Sequence, residues 1–395
     1  MSTTDNFFAT PSEKSKVKTL IVTEFLKAYF PIINRSVGKE KKEIIYIDLF
    51  CGPGKYKDGH PSTPLALLDL VNNFRDDNIR KKLRVVFNDE NEKYIDQLRT
   101  IVNNHDVVSK LTYPVEITNL RASDVNIRVH TFKKCPIFSF IDPWGYKDVS
   151  VAQTWELVEN IGSDCVLFFN SNRFIMDINK ENQLCHFLPI FGGQLEEVGK
   201  TVNNNLLGQK EKAERIVELF SRNLIHEMSK SKYSGYTLYV LPFGFEADDK
   251  EKISHHIVFI TKSHKAITEM KKVMIKHSNT NHYSLLFDSK DQLQIALFHR
   301  ETFIKEGIME AVRNSISVDA NFFNKIWTID NLLEALDRYN MKLNYQVTPY
   351  SREEVKNVVE QWDKDDFVEI IIPKGRLRKR ITYERKFKLK KELLV

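Results

Sequence analysis

Strand-like apolar runs alternating with helix-length segments restrict the fold of this 395-residue chain more than any other feature of its sequence. The runs are EIIYIDLF (43–50), LRVVFND (83–89), PVEITNL (114–120), PIFSFIDP (136–143) and DCVLFFN (164–170). Between them lie a helix opening near Pro64, one through Tyr94 and Leu98, and one from about Val149 to Glu159. Parallel strands need long crossovers, and crossover helices cover both faces of the sheet, so this order predicts an α/β fold with a doubly wound, mostly parallel sheet. Two further β-rich runs, YTLYVLPFGF (236–245) and HHIVFITKS (255–263), are separated only by EADDKEKIS. That spacing leaves no room for a helix and predicts an antiparallel pair at the sheet edge.

Outside this alternation the pattern changes. Val17, Leu20, Ile21, Phe25, Leu26, Tyr29 and Phe30 recur at helical spacing, so residues 1–36 read as a helical segment that packs on a main domain spanning 37–300. Within that domain, 171–232 is helical and polar and reads as an insertion or lid. Residues 301–325 read as a connector and 326–395 as a small domain. In the small domain a helix (Ile329 to Tyr339) precedes a second one opened by a Ser351/Glu354 capping box, then FVEIII, a Pro-Lys-Gly turn and the basic strand RKRITYERKFKL. Helix, helix, then a basic hairpin is the order of a winged helix.

Charge is concentrated in that tail. The whole chain carries a net charge of +6, while about nine excess positive charges fall between Lys374 and Lys391. Lys374, Arg376, Arg378, Lys379, Arg380 and Arg385 suit phosphate contacts with DNA or RNA; the same run also suits a solvated edge strand protected from aggregation. There is no apolar run of about 18 residues and no signal-peptide core, which points to a cytoplasmic protein with no membrane partner. Four cysteines without zinc spacing read as free thiols, and no metal site is expected.

The chemistry gathers at strand ends. Asp48-Leu49-Phe50-Cys51-Gly52-Pro53-Gly54 follows directly on the first strand. Gly52 and Gly54 lack a Cβ and tolerate positive φ, so such a turn lets backbone approach a nucleotide-type ligand; the same glycines also suit a plain tight turn. GxGxxG and Walker A spacings are absent, leaving NAD and ATP phosphate cradles unsupported. The second strand ends in Asn88-Asp89-Glu90, where a carboxylate accepts ribose hydroxyls or caps the next helix. Asp124 follows the third strand, towards an adenine. The fourth strand ends in Asp142-Pro143-Trp144-Gly145-Tyr146, an acid that accepts a hydrogen bond from an amino group beside rings that stack on a flat heterocycle; the alternative is a Pro-Gly turn with Trp144 as core filler. Arg173, after the fifth strand, has the chemistry to pair with a carboxylate or phosphate. The histidines, including His255 and His256, read as surface or hydrogen-bonded groups, and no GxSxG elbow supports a hydrolase.

Taken together, YIDLFCGPGKYKDGHPSTPLALL, FNDEN and FIDPWGYK resemble the three-Cys-motif partner protein family, a bacterial group with a methyltransferase-like fold. The likeness continues through KTLIVTEFLKAYFPII, Asn172-Arg173 and HHIVFITKSHKAITEMKKVM, covering most of residues 10–280, and a winged-helix tail is expected in the family. The resemblance implies a class I methyltransferase (Rossmann-like) fold that binds S-adenosylmethionine, with Asp48, Gly52 and Gly54 in the cofactor turn and Asp89 at the ribose. Phe50, Glu90 and Asp124 complete the expected cofactor set. Asp142 and Pro143 occupy the place of the D/N-P-P-Y/F motif of amino methyltransferases; Trp144 replaces its second proline, and Tyr146 follows. The implied partner is a protein with a three-cysteine motif. Two functions fit these residues: methyl transfer to an exocyclic amino group of a base in DNA or RNA, with Asp142, Pro143, Trp144 and Tyr146 as the catalytic set, or a non-catalytic adaptor that binds S-adenosylmethionine or another nucleotide and serves a partner enzyme.

Overall fold

The strand Ile44–Asp48 (β1) is buried at all five positions, as an uninterrupted apolar run demands of a strand covered on both faces. The computed structural model describes residues 8–36, 43–125, 135–248, 251–279, 285–289, 296–372 and 381–394, and places β1 near the middle of an eight-stranded sheet. Its other strands are β2 (Leu83–Asn88), β3 (Glu116–Thr118), β4 (Ile137–Ile141), β5 (Asp164–Phe169), β6 (Tyr239–Glu246), β7 (Ile253–Thr261) and β8 (Leu286–Phe287). They lie in the order β3-β2-β1-β4-β5-β7-β6-β8. Strands β1 to β5 are parallel, and β7 runs antiparallel to both β5 and β6. This is the doubly wound, mostly parallel sheet expected from the alternation of elements. Strand order reverses between β1 and β4, which puts Asp48 and Asp142 at the crevice where open α/β sheets bind ligands.

Helices cover both faces. Glu13–Arg35 (α1) starts at Ser12, whose side chain accepts from the Ser15 N–H at 3.1 Å, and drives Phe25 against Phe138 of β4 and Phe259 of β7. On the same side lies Thr63–Asn72 (α2), followed by the short Asp77–Lys82 (α3). Glu92–Asn103 (α4) flanks β3, and Val151–Val158 (α5) covers β4 and β5. Alternation along β5 separates the faces: Phe168 turns to Lys18 of α1, and Phe169 meets the rings of Phe174 and Phe220 on the other side.

The stretch 171–232 packs as a layer of the main core. It folds into Ser171–Asp177 (α6), Leu184–Phe191 (α7), Leu195–Asn203 (α8) and Gln209–Ser229 (α9). Phe174, Phe187, Phe191, Val198, Ile216 and Phe220 from these helices are all buried in the main core. His264–His277 (α10) follows β7 and packs beside α1.

A second core forms the C-terminal domain from Ala296–Val318 (α11), Ile329–Asn344 (α12), Arg352–Lys364 (α13) and the antiparallel pair Val368–Ile370 (β9) and Phe387–Leu389 (β10). The expected connector therefore belongs to this core: Ile304, Ile308 and Val312 of α11 pack with Leu332, Val359 and Trp362. The helix, helix, antiparallel-pair order is present, and Ser351 and Glu354 form the expected capping box. Lys374, Arg376, Arg378, Lys379 and Arg380 lie outside the described residues; Arg385 precedes β10.

The two cores meet through a buried ionic cluster. Asp337 of α12 accepts from both Lys271 of α10, at 2.7 and 2.8 Å, and the backbone N–H of Thr348 at 3.0 Å, and lies 2.9 Å from His264 Nε2. The Val347 N–H donates to the Val240 carbonyl of β6 at 2.9 Å. Because Thr261 and Tyr239 lie in register with Asp164, the first residue of β5, this junction sits at the amino end of the parallel strands, the edge opposite Asp48 and Asp142.

Candidate active site

At the carboxyl edge, β1 delivers Asp48 into a buried position, only 1% exposed. One carboxylate oxygen accepts from the Phe50 N–H at 3.2 Å, and Oδ2 is buried without a hydrogen-bond partner among the described residues. Burial pushes this carboxyl well above the usual carboxylate range; the Phe50 N–H opposes that shift and the neighbouring Asp142 and Asp89 add to it.

The turn after β1 is held from β2. The Cys51 N–H donates to the Asn88 carbonyl, and the Gly52 N–H donates to Asp89 Oδ2, each at 2.9 Å. Asp89 Oδ1 accepts from the Asn91 N–H at 2.9 Å, so one carboxylate ties the turn to Asn91; the cap of the next helix is Asn91 and not Asp89, since the Asn91 side chain accepts from the Lys93 N–H at 3.1 Å. Burial raises the Asp89 carboxyl, against the pull of these two N–H donors.

The two glycines turn out to serve different ends. A Cβ on Gly54, at φ +85°, would stand 2.7 Å from Leu98 Cδ1, so this position lets α4 close on the turn. A Cβ on Gly52, at φ +63°, would meet the ring of Phe8 at 2.9 Å. Gly54→Ala is accordingly expected to destabilise the fold by roughly 1–3 kcal/mol through left-handed strain and overpacking, measured as a lower denaturation midpoint at unchanged slope.

Two adjoining hollows flank the turn. A cavity of about 280 Å³ is lined by Asp48, Phe50, Tyr56, Asp142, Trp144, Phe168 and His255, with Ser12, Lys14, Ser15 and Lys18 from the start of α1. A wider cleft of about 680 Å³ holds Asp89, Glu90, Tyr94, Arg121, Tyr146 and Arg173. Phe50 and Trp144 line both, so the two hollows share a wall. Phe8 packs across that boundary, its ring 5.1 Å from Tyr94, 5.7 Å from Tyr56 and 6.1 Å from Trp144.

Most of the residues singled out in the sequence converge here. Asp142 and Pro143 line the cavity, and Asp142 forms an ion pair with Lys18. Trp144 is 54% exposed and stands at the mouth, so it is not the core filler of the alternative reading. Tyr146 departs from its expected stacking role. It is buried against Phe174 and Phe187, and its hydroxyl lies 3.0 Å from Asp177 and 2.8 Å from Gln183, so α6 and the approach to α7 have captured it. Burial, reinforced by Asp177, pushes that phenol up to about 12. Arg173 stands in the cleft paired with Asp177 at 3.1 Å. Asp124, in a turn beside Ser123, is not among the residues lining either hollow.

Sequence reasoning missed three contributors. Lys18 comes from a helix read as mere packing, although its spacing from Lys14 marks a polar stripe on an apolar helix. Phe8 precedes every recognisable motif. His255 was read as a surface or hydrogen-bonded group; its ring lies between Phe168 and Phe245, at 4.4 and 4.5 Å, and its Nδ1 lies 3.0 Å from Ser254 Oγ. Burial first, then the positive charges of Lys18 and Lys14, hold its pKa well below the usual histidine value, leaving a neutral imidazole in the cavity wall. Among the described residues no helix is long and apolar enough to cross a membrane.

No family model matches the chain, and no curated protein matches it. Similar solved structures include protein LPL1258 from Legionella pneumophila, assigned to family model DUF519, at 9% identity, covering 65% of this chain and 89% of that one, with a TM-score of 0.36. The plantazolicin methyltransferase BamL, crystallised with a triazolic desmethylPZN analogue and SAH, is 12% identical over 66% of this chain and 95% of its own, with a TM-score of 0.32. The methyltransferase domain of bacterial CtHen1 is 13% identical over 60% and 97%, with a TM-score of 0.28.

Proposed function

We propose that this chain binds S-adenosylmethionine across the cleft and the cavity and transfers its methyl group to an amino nitrogen of a nucleic-acid base. One observation carries the reading: two carboxyl groups, Asp48 and Asp142, face a single aromatic-walled cavity that adjoins the cleft containing Asp89 and Glu90. Carboxylates and ring faces attract a sulfonium or an amine and repel phosphate. The orphaned Oδ2 of Asp48 calls for a donor from a ligand. Glu90, exposed beside Asp89, has carboxylate oxygens to offer ribose hydroxyls, while Asp89 holds the turn in place.

When bound, the cofactor supplies an activated methyl group. The chain's own residues do the rest. Asp142 accepts a hydrogen bond from the acceptor amine and takes up its proton, the exposed Trp144 ring stacks on the base, and the aromatic walls exclude water. The basic C-terminal segment supplies phosphate contacts, and a three-cysteine-motif protein is the partner that the resemblance implies. The adaptor function has its own support in the Lys18–Asp142 ion pair, which occupies the acid that transfer to a base nitrogen requires.

Calorimetric titration with S-adenosylmethionine and S-adenosylhomocysteine tests the reading. Heat with both ligands is expected, and no heat with either would overturn it. Salt-dependent retention of a DNA or RNA duplex, lost when the basic tail is neutralised, is expected of the nucleic-acid part. Phe8 packs against Gly52, where the cofactor must lie, so Phe8→Ala is expected to tighten binding by about tenfold, or roughly 1.4 kcal/mol. Unchanged or weaker binding in that titration would show that the ring forms part of the bound cofactor's wall.

A further inference from the structure

We infer that Lys18 is itself a methyl acceptor, so that the chain methylates the Nζ of its own N-terminal helix. The inference rests on the cofactor reading above and extends it to a residue outside every motif. On that reading, a nitrogen held by Asp142 inside the cavity is the nitrogen that receives the methyl group. The nitrogen already there is Lys18 Nζ, which contacts Asp142 Oδ2 and sits 5.0 Å from the centre of the Phe168 ring.

Its setting differs from that of an ordinary surface ion pair. Lys18 and Asp142 are 124 residues apart, on a face-covering helix and a strand end, and their side chains are 11% and 21% exposed. The Ser12 cap fixes where α1 begins and therefore which of its residues enter the cavity. Lys14, one turn earlier, also lines the cavity, but its Nζ lies 3.8 Å from the exposed Asp248. Lys18 is thus the lysine that Asp142 selects.

The transfer balances without a further reagent. The ammonium gives a proton to Asp142, which releases it to solvent. The freed lone pair then forms the nitrogen–carbon bond as the carbon–sulfur bond breaks, and its electron pair returns to sulfur to leave the neutral thioether S-adenosylhomocysteine. Because the acceptor belongs to the chain itself, turnover is limited to the few methyl groups that one Lys18 Nζ can carry.

The full chain is incubated with S-adenosylmethionine and followed by intact and peptide mass. In parallel, acylation of Lys18 by an amine-selective reagent is measured with and without saturating S-adenosylhomocysteine. The expected result is a methyl increment confined to the peptide carrying Lys18, absent in Lys18→Arg and slowed at least about a hundredfold in Asp142→Asn. S-adenosylhomocysteine is expected to slow acylation of Lys18 by about tenfold or more, since its sulfur would stand against the nitrogen. Calorimetric heat with S-adenosylmethionine, but no added mass at Lys18 and unchanged acylation, would overturn the inference while leaving the cofactor reading intact. An absence of heat would overturn both.

Discussion

Asp337→Ala is expected to lower the stability of the chain by about 3–5 kcal/mol, because it strands a fully buried ammonium. Asp337 and Lys271 are both 0% exposed, and the carboxylate accepts from Lys271, the Thr348 N–H and the Thr348 hydroxyl, with His264 beside it. Removing the acid leaves Lys271 with the Thr348 hydroxyl at 3.3 Å and no charge partner among these contacts. Urea denaturation followed by tryptophan fluorescence measures the loss, and Trp327 and Trp362 report on the C-terminal core. A loss below about 1 kcal/mol would mean that the cluster is hydrated and not sealed. The double variant Lys271→Met/Asp337→Leu is expected to recover most of the stability, since packed apolar groups replace a buried pair at little cost.

The same cluster sets an acid limit. Burial alone would raise the Asp337 carboxyl, but Lys271 and His264 outweigh it and hold the carboxyl below its ordinary value. A carboxyl depressed in the folded state contributes stability that is fully present above its unfolded pKa of about 3.9 and is lost as pH falls through the lower folded value. The wild-type denaturation midpoint is therefore expected to hold to about pH 4 and then fall, with a shallower fall in the double variant.

Asp89→Ala is expected to abolish detectable S-adenosylmethionine binding, a loss of at least about a hundredfold or 2.7 kcal/mol. The effect runs through backbone geometry more than through lost ligand contact. Without the carboxylate, the Gly52 and Asn91 N–H groups lose their acceptors, and the turn proposed to face the cofactor keeps only its ties through Asn88 to β2. Leaving these groups unsatisfied also costs roughly 1–3 kcal/mol of stability. Calorimetry at a temperature where the variant remains folded separates the two losses. Glu90→Gln serves as the comparison, because it changes the exposed carboxylate and leaves the turn intact; weakened binding there with a normal denaturation midpoint would locate the ribose contact at Glu90.

The sequence by itself determined the elements and the spine of the candidate site. Apolar runs of strand length separated by helices require a parallel sheet, and that sheet brings the ends of β1, β2 and β4 to one edge, so Asp48, Asp89 and Asp142 were legible from their positions after strands. The capping box of α13 was legible because both partners lie within one turn of helix. Tertiary structure alone decided what faces those carboxylates. Lys18 reaches Asp142 across 124 residues, His255 enters from an antiparallel strand, and Phe8 packs on Gly52 from ahead of α1. Tyr146 looked like a stacking ring until Asp177 and Gln183 captured it, 31 and 37 residues further along. The polar stretch 171–232 proved to be a layer of the core because α9 buries one face while its other face supplies the charge seen in the sequence. Periodicity reports which face of an element is apolar, since that depends on neighbours three or four residues away. Which other element fills the space opposite is fixed by packing between distant segments, and it is there that the cavity acquires its lysine, its imidazole and its aromatic cover.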